Sequence, residues 1–66
     1  MQTNKQHILT HIEASAPCSL FSVAMWADEQ LVISATSFTA IIDSLVVDGK
    51  IEVTSDADIG VIVDLL

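Results

Sequence analysis

Five apolar side chains between Ser34 and Lys50 constrain this chain more than any other feature. Phe38, Ile41, Ile42, Leu45 and Val46 recur at i, i+3, i+4, i+7 and i+8, which lays one continuous apolar face along an α-helix. Ser34 is placed to cap its start, because a serine oxygen accepts an orphan backbone N–H of the first turn. Gly49 stops it, since a residue tolerant of positive φ closes a helix end at little cost. Lys50-Ile51-Glu52-Val53-Thr54 then alternates apolar and polar, as a strand does. The sequence predicts a helix over about 34–48 and a strand over about 50–54.

The rest of the chain fits around that unit. Ile8, Leu9 and Ile12 form the apolar stripe of a first helix, about 3–14, which Thr3 or Asn4 caps. Pro17 ends it, because proline disfavours helix in the residue before it, and Ala16 to Ser19 reads as a short extended link. Ser19 caps a second helix, about 20–30, with Leu20, Val23, Ala24 and Ala27 on one face. Phe21 and Met25 make a second apolar row on that helix, with Trp26 beside it. Asp28 and Glu29 fall at its C-terminal end, where the helix dipole disfavours negative charge. After a polar turn at Ser55-Asp56-Ala57-Asp58, a return strand runs over about 59–65, with Ile59, Val61, Val63 and Leu65 on one face. Ile62 and Leu66 lie on the other, which so small a chain has little means of covering.

These elements predict an α+β fold in one domain over residues 1–66: three helices followed by a two-stranded antiparallel hairpin. The expected core takes Ile8, Leu9 and Ile12 from the first helix, and Leu20, Val23, Ala24 and Leu31 from the second and its end. Phe38, Ile41, Ile42 and Leu45 come from the third, and Ile51, Val53, Val61 and Val63 from the strands.

Pro17-Cys18-Ser19-Leu20 leading into the second helix, Ser34 opening the third, and Ile41 to Glu52 running from helix through Asp48-Gly49 to Lys50-Ile51 together resemble a winged helix-turn-helix domain in layout. The resemblance implies a winged-helix-like domain. In DNA-binding members the third helix enters the major groove and basic residues of the wing hold phosphate. The matching positions here are Ser34, Ala35, Thr36, Ser37 and Thr39 on the helix, with Lys50 near the wing.

Charge departs from that DNA-binding pattern. Nine acidic residues stand against two lysines and no arginine, for a net charge of −7. Nucleic-acid affinity rests largely on Lys and Arg that displace counterions from phosphate, so nucleic acid is a disfavoured partner, as is an anionic lipid surface. One cysteine forms no internal disulfide. No apolar run reaches a membrane-spanning length, and the N-terminal residues lack the pattern of a signal peptide. The default expectation is a cytoplasmic protein.

No catalytic constellation stands out, and no enzyme, cofactor or metal is expected. His7 and His11 lie four apart, the spacing at which two imidazoles share a metal, with Cys18 the nearest third donor. A closed zinc site takes four ligands and no fourth is indicated, so they read as ordinary histidines and Cys18 as a small buried apolar residue. Asp56 and Asp58 lack the glycine and closing glutamate of a calcium loop. The acids of the hairpin serve either solubility or docking on a basic partner.

The leading expectation is therefore a non-enzymatic, acidic protein–protein interaction module. It would suit an accessory or inhibitor protein of phage or plasmid type that docks on a basic partner or nucleoprotein complex. Phe21, Met25, Trp26, Asp56, Asp58, Ile62 and Leu66 are its candidate contact residues. They would also allow a homodimer, for instance through the edge of the last strand. The alternative is a dimeric DNA-binding transcriptional regulator that reads bases through Ser34, Thr36, Ser37 and Thr39, with Lys5 and Lys50 on phosphate.

Overall fold

The computed structural model describes residues 3–66. Three helices, α1 (Asn4–Ser15), α2 (Leu20–Leu31) and α3 (Ala35–Val47), precede a hairpin of β2 (Ile51–Asp56) and β3 (Gly60–Leu65). A further strand, β1 (Cys18–Ser19), lies between α1 and α2. The fold is α+β, with a three-stranded antiparallel sheet ordered β1-β3-β2.

Each helix starts on a hydroxyl. The side chains of Thr3, Ser19 and Ser34 accept from the backbone N–H groups of Gln6, Ser22 and Ser37 at 3.1–3.2 Å, and caps of this kind contribute about 1 kcal/mol each. The end of α3 is closed by the chain reversal that Gly49 permits. Gly49 sits at φ 73°, its N–H donates to the Val46 carbonyl, and the Lys50 N–H donates to the Leu45 carbonyl, both at 3.0 Å. This pair of bonds satisfies two orphan carbonyls and turns the chain directly into β2. Lys5 supplies the cation that the last turn of α3 lacks. From α1, its ammonium donates to Ser44 Oγ at 2.8 Å and to the Asp48 carboxylate. Positive charge at a helix C-terminus is favourable, although the pair is half-exposed and worth at most about 1 kcal/mol.

The link between the first two helices differs from expectation. Cys18 and Ser19 pair with Val63 and Ile62. The sheet therefore has three strands where two were expected, and β3 lies in its middle. A dimer through the edge of the last strand is excluded where β1 covers it; the long open edge belongs to β2. Residues directly opposed across the ladder share a face. Cys18, Val63 and Val53 therefore face the helices, with Ile51 opposite Leu65. Glu52 lies opposite Asp64 on the outer face, a like-charge pairing that weakens the hairpin locally.

The core is small. Ile8 and Ile12 of α1, Val23 and Ala27 of α2, Phe38, Ile42 and Leu45 of α3, and Ile51 and Val63 of the sheet are buried. Leu9, Leu20, Ala24, Leu31 and Ile41, expected as core, are half-buried around it. Val53 and Val61, also expected there, are each 38% exposed: Val53 lies on the edge strand β2 directly opposite the buried Val63, and Val61 lies nearer the turn, opposite Ser55. Ile59 lies outside β3. It belongs to the three-residue turn 57–59, and is 65% exposed.

Three residues, 32–34, join α2 to α3, and Val32 takes a left-handed conformation at φ 51° with 84% exposure. A β-branched residue is strained there and gains no burial in return. Val32→Asn, which suits that conformation, is expected to raise the urea midpoint by an amount equivalent to up to about 1 kcal/mol. A lower midpoint would mean that Val32 makes a contact worth more than its strain.

Candidate docking groove

Side chains of α2, of the first half of α3 and of the hairpin near its turn border an open groove of about 790 Å³. Leu20, Ala24 and Phe38 line it from the helices together with Phe21 and Met25. Ile33 closes it at the α2–α3 connection, and Ile59 and Val61 overhang it from the hairpin. Phe38 is nearly sealed, whereas Phe21 is 73% and Met25 49% exposed. Polar groups on the wall are few: Ser19, Ser34 and Thr39 hydroxyls, and the Asp28 carboxylate as its charged side chain. An exposed apolar concavity of this kind on a small protein marks a contact site.

Helical spacing puts Phe21 and Met25 on one row of α2, and Ala24 and Asp28 on the adjacent row. The acid in the last turn of α2 thus stands at the groove although the helix dipole disfavours it there. Trp26 was expected to extend the exposed row, and it does not. It turns toward α1, is half-buried, and stacks on His11 with ring centroids 4.1 Å apart and planes inclined by 13°. His11 is accounted for by that stack. Among the described residues no three His, Cys, Asp or Glu side chains come together as a metal site.

The remaining expected contact residues lie elsewhere. Ile62 is half-buried on the outer sheet face, in a smaller depression of about 490 Å³ with Pro17, Cys18 and Asp56, because it is the middle residue of three strands, between Ser19 of β1 and Thr54 of β2. Leu66 is exposed at the end of the chain, 71%, and lines neither depression. Cys18 lies partly buried against the core. Burial, and then the Asp64 carboxylate, push its thiol above the ordinary range, so it stays protonated and unreactive near neutral pH.

Asp56 has a structural task. Its Oδ1 accepts from the Asp58 N–H at 2.8 Å and the Ile59 N–H at 3.1 Å, which ties the turn that carries Ile59 over the groove. Asp58 is exposed beside it. The residues singled out for base reading divide as well. Ser34 Oγ and Ser37 Oγ are 3.1 Å apart and joined in the cap of α3, Thr36 is exposed, and Thr39 and Ser34 line the groove. Lys5 is occupied by Asp48. Lys50 is exposed at the start of β2, at the end of the hairpin away from the turn.

The chain has no significant match to a family model, to a curated protein or to a solved structure. Among the described residues no helix is long and apolar enough to cross a membrane.

The groove residues that sequence reasoning missed are Ile33, Ile59 and Val61. Ile59 left one signal, a large apolar side chain set among acids in a turn. Asp56→Ala removes the acceptor for two backbone N–H groups and is expected to lower stability by about 1 kcal/mol. Asp56→Asn keeps an acceptor oxygen and is expected to lose less. Urea unfolding followed by Trp26 fluorescence checks both, and equal losses would show that the turn depends on the charge itself.

Proposed function

We propose that this chain is a non-enzymatic interaction module of winged-helix layout, acting in the cytoplasm, that docks on a basic protein or on the protein part of a nucleoprotein complex. The observation that carries this is the open apolar groove, with Phe21 and Ile59 largely exposed and Met25 half-exposed at it, in a chain of net charge −7. Exposed apolar side chains supply affinity when a partner buries them. The negative field speeds encounter with a basic partner and repels acidic ones. The element order supports the winged-helix layout: three helices, a three-residue connection between α2 and α3, then a hairpin.

The DNA-binding alternative loses support from particular side chains. Lys5 is held by Asp48 and Ser34 and Ser37 are held by the cap of α3, which leaves Lys50 as the lysine available for phosphate. Salt dependence scales with the number of phosphates neutralised, with a log–log slope near −0.9 for each. A single available lysine therefore implies feeble binding and a slope of about −1.

A labelled random duplex, titrated with the protein while anisotropy is read at low and at physiological salt, tests the choice. No saturable binding is expected at either. Saturable binding that weakens as salt is raised would overturn the interaction module in favour of the regulator.

A further inference from the structure

The groove can be assigned an occupant. We infer that it receives one amphipathic α-helix of a partner protein, with apolar anchors on the face that enters and Lys or Arg along the face that stays outside. This deepens the function proposed above and rests on it.

The lining sets the first half of that description. Phe38, Ile33 and Ala24 form an apolar floor, and Phe21, Met25 and Ile59 form rims that a bound body would cover. An extended peptide that adds to a sheet needs a run of unpaired strand groups. The strand that meets the groove is β3, paired along all six residues with β2 on one edge and with β1 at Ile62 and Val63 on the other. That leaves at the groove a run of only two residues, Gly60 and Val61, too short to receive a strand. The long open edge is that of β2, on the far side of β3. What the groove offers is a trough between two helices and a hairpin turn, which a helix fills with side chains at i, i+3, i+4 and i+7. Met25 on the rim suits such an occupant, because an unbranched thioether adapts to different apolar shapes.

Charge sets the second half. Asp28 is the charged side chain on the groove wall. Glu29 follows it in sequence and is exposed, and Asp58, beside Ile59 in the turn, is exposed as well. The two lysines lie away from the groove: Lys5 is paired with Asp48 at the far end of α3, and Lys50 is at the other end of the hairpin from the turn. A cationic helix face is complementary to this rim. A second copy of the chain is not, since it brings another −7 and sets like charges together at contact distances, where salt screens them little.

The test uses the full chain and a labelled Leu/Lys amphipathic peptide of about 15 residues, long enough to form a helix when held on a surface. Its probes are that peptide, a Leu/Glu counterpart, and a Leu/Lys peptide with prolines in its centre. The Leu/Lys helix is expected to bind. The Leu/Glu and proline peptides are expected to bind at least about tenfold more weakly. Phe21→Ser and Ile59→Ser should each weaken the Leu/Lys helix by about tenfold, a loss typical of an anchor at an interface. Both side chains are largely exposed, so these variants should keep the fold, which circular dichroism verifies. Asp28→Asn should weaken binding less and flatten its salt dependence. Val47→Ser, 85% exposed at the end of α3 and away from the groove, should change nothing.

Leu/Lys binding that is unaffected by Phe21→Ser and Ile59→Ser but falls with Glu52→Gln or Asp64→Asn would move the contact to the outer sheet face. That outcome overturns the groove assignment and leaves the interaction module standing. Equal binding of the helical and proline peptides overturns the helical occupant. A chain that sediments as a dimer, and as a monomer after Ile59→Ser, makes a second copy the occupant and overturns the inference. Binding of no cationic peptide at all overturns both proposals together.

Discussion

Nine side chains, among the described residues, are sealed from water, and three helices and a sheet all have to hold on to them. A chain of this size buries only about 60% of the surface its unfolded form exposes. Little of the apolar surplus can therefore be hidden, and where it is left bare is a property of the fold. Ile8, Ile12, Leu45, Ile51, Val23 and Val63 are almost wholly covered, and they come from α1, the first half of α2, the C-terminal half of α3 and the hairpin. Beside them, α2, the start of α3 and the hairpin turn border the open groove. The groove is a consequence of that arrangement. Its floor is the fringe of the core, and its rim is apolar surface that the core does not reach.

Several polar contacts hold this geometry without adding to the core. Three hydroxyl caps start the helices. The paired bonds at Gly49 aim β2 back along the helices. Lys5 ties α1 to the end of α3, and Asp56 shapes the turn that places Ile59. Each is worth about 1 kcal/mol or less, yet each fixes a direction. A set of weak directional contacts around a small core is what lets so short a chain present a defined surface.

Much of the fold was legible because it is written locally. The helical period of Phe38 to Val46, the serine caps and the Gly49 stop are all properties of neighbouring residues, and the helices fall within a residue or so of their expected ends. What escaped was long-range. Pairing of Cys18 and Ser19 with Val63 and Ile62 links residues more than forty apart, and two residues carry no strand period. It follows that Ile62 is half-covered and β3 is central. Val53 and Val61 were expected inside because alternation tells which face a residue is on, but neither which strand is at the edge of the sheet nor how much of that face the helices cover. Trp26 was expected outside because its partner, His11, lies on another helix. The second apolar row of α2 was legible as a surface in search of a contact. The hairpin's contribution through Ile59 was not, because a turn has no period.

The central claim is that Phe21 is surplus to folding and belongs to a contact surface, whereas Leu45 belongs to the core. Urea unfolding of Phe21→Ser and Leu45→Ala, followed by Trp26 fluorescence, tests it most directly. Leu45→Ala is expected to lose about 2–5 kcal/mol, enough to leave a domain this small partly unfolded. Phe21→Ser is expected to change stability by no more than about 0.5 kcal/mol. A loss in Phe21→Ser comparable to that in Leu45→Ala would place Phe21 inside the folding core and contradict the groove as a docking surface.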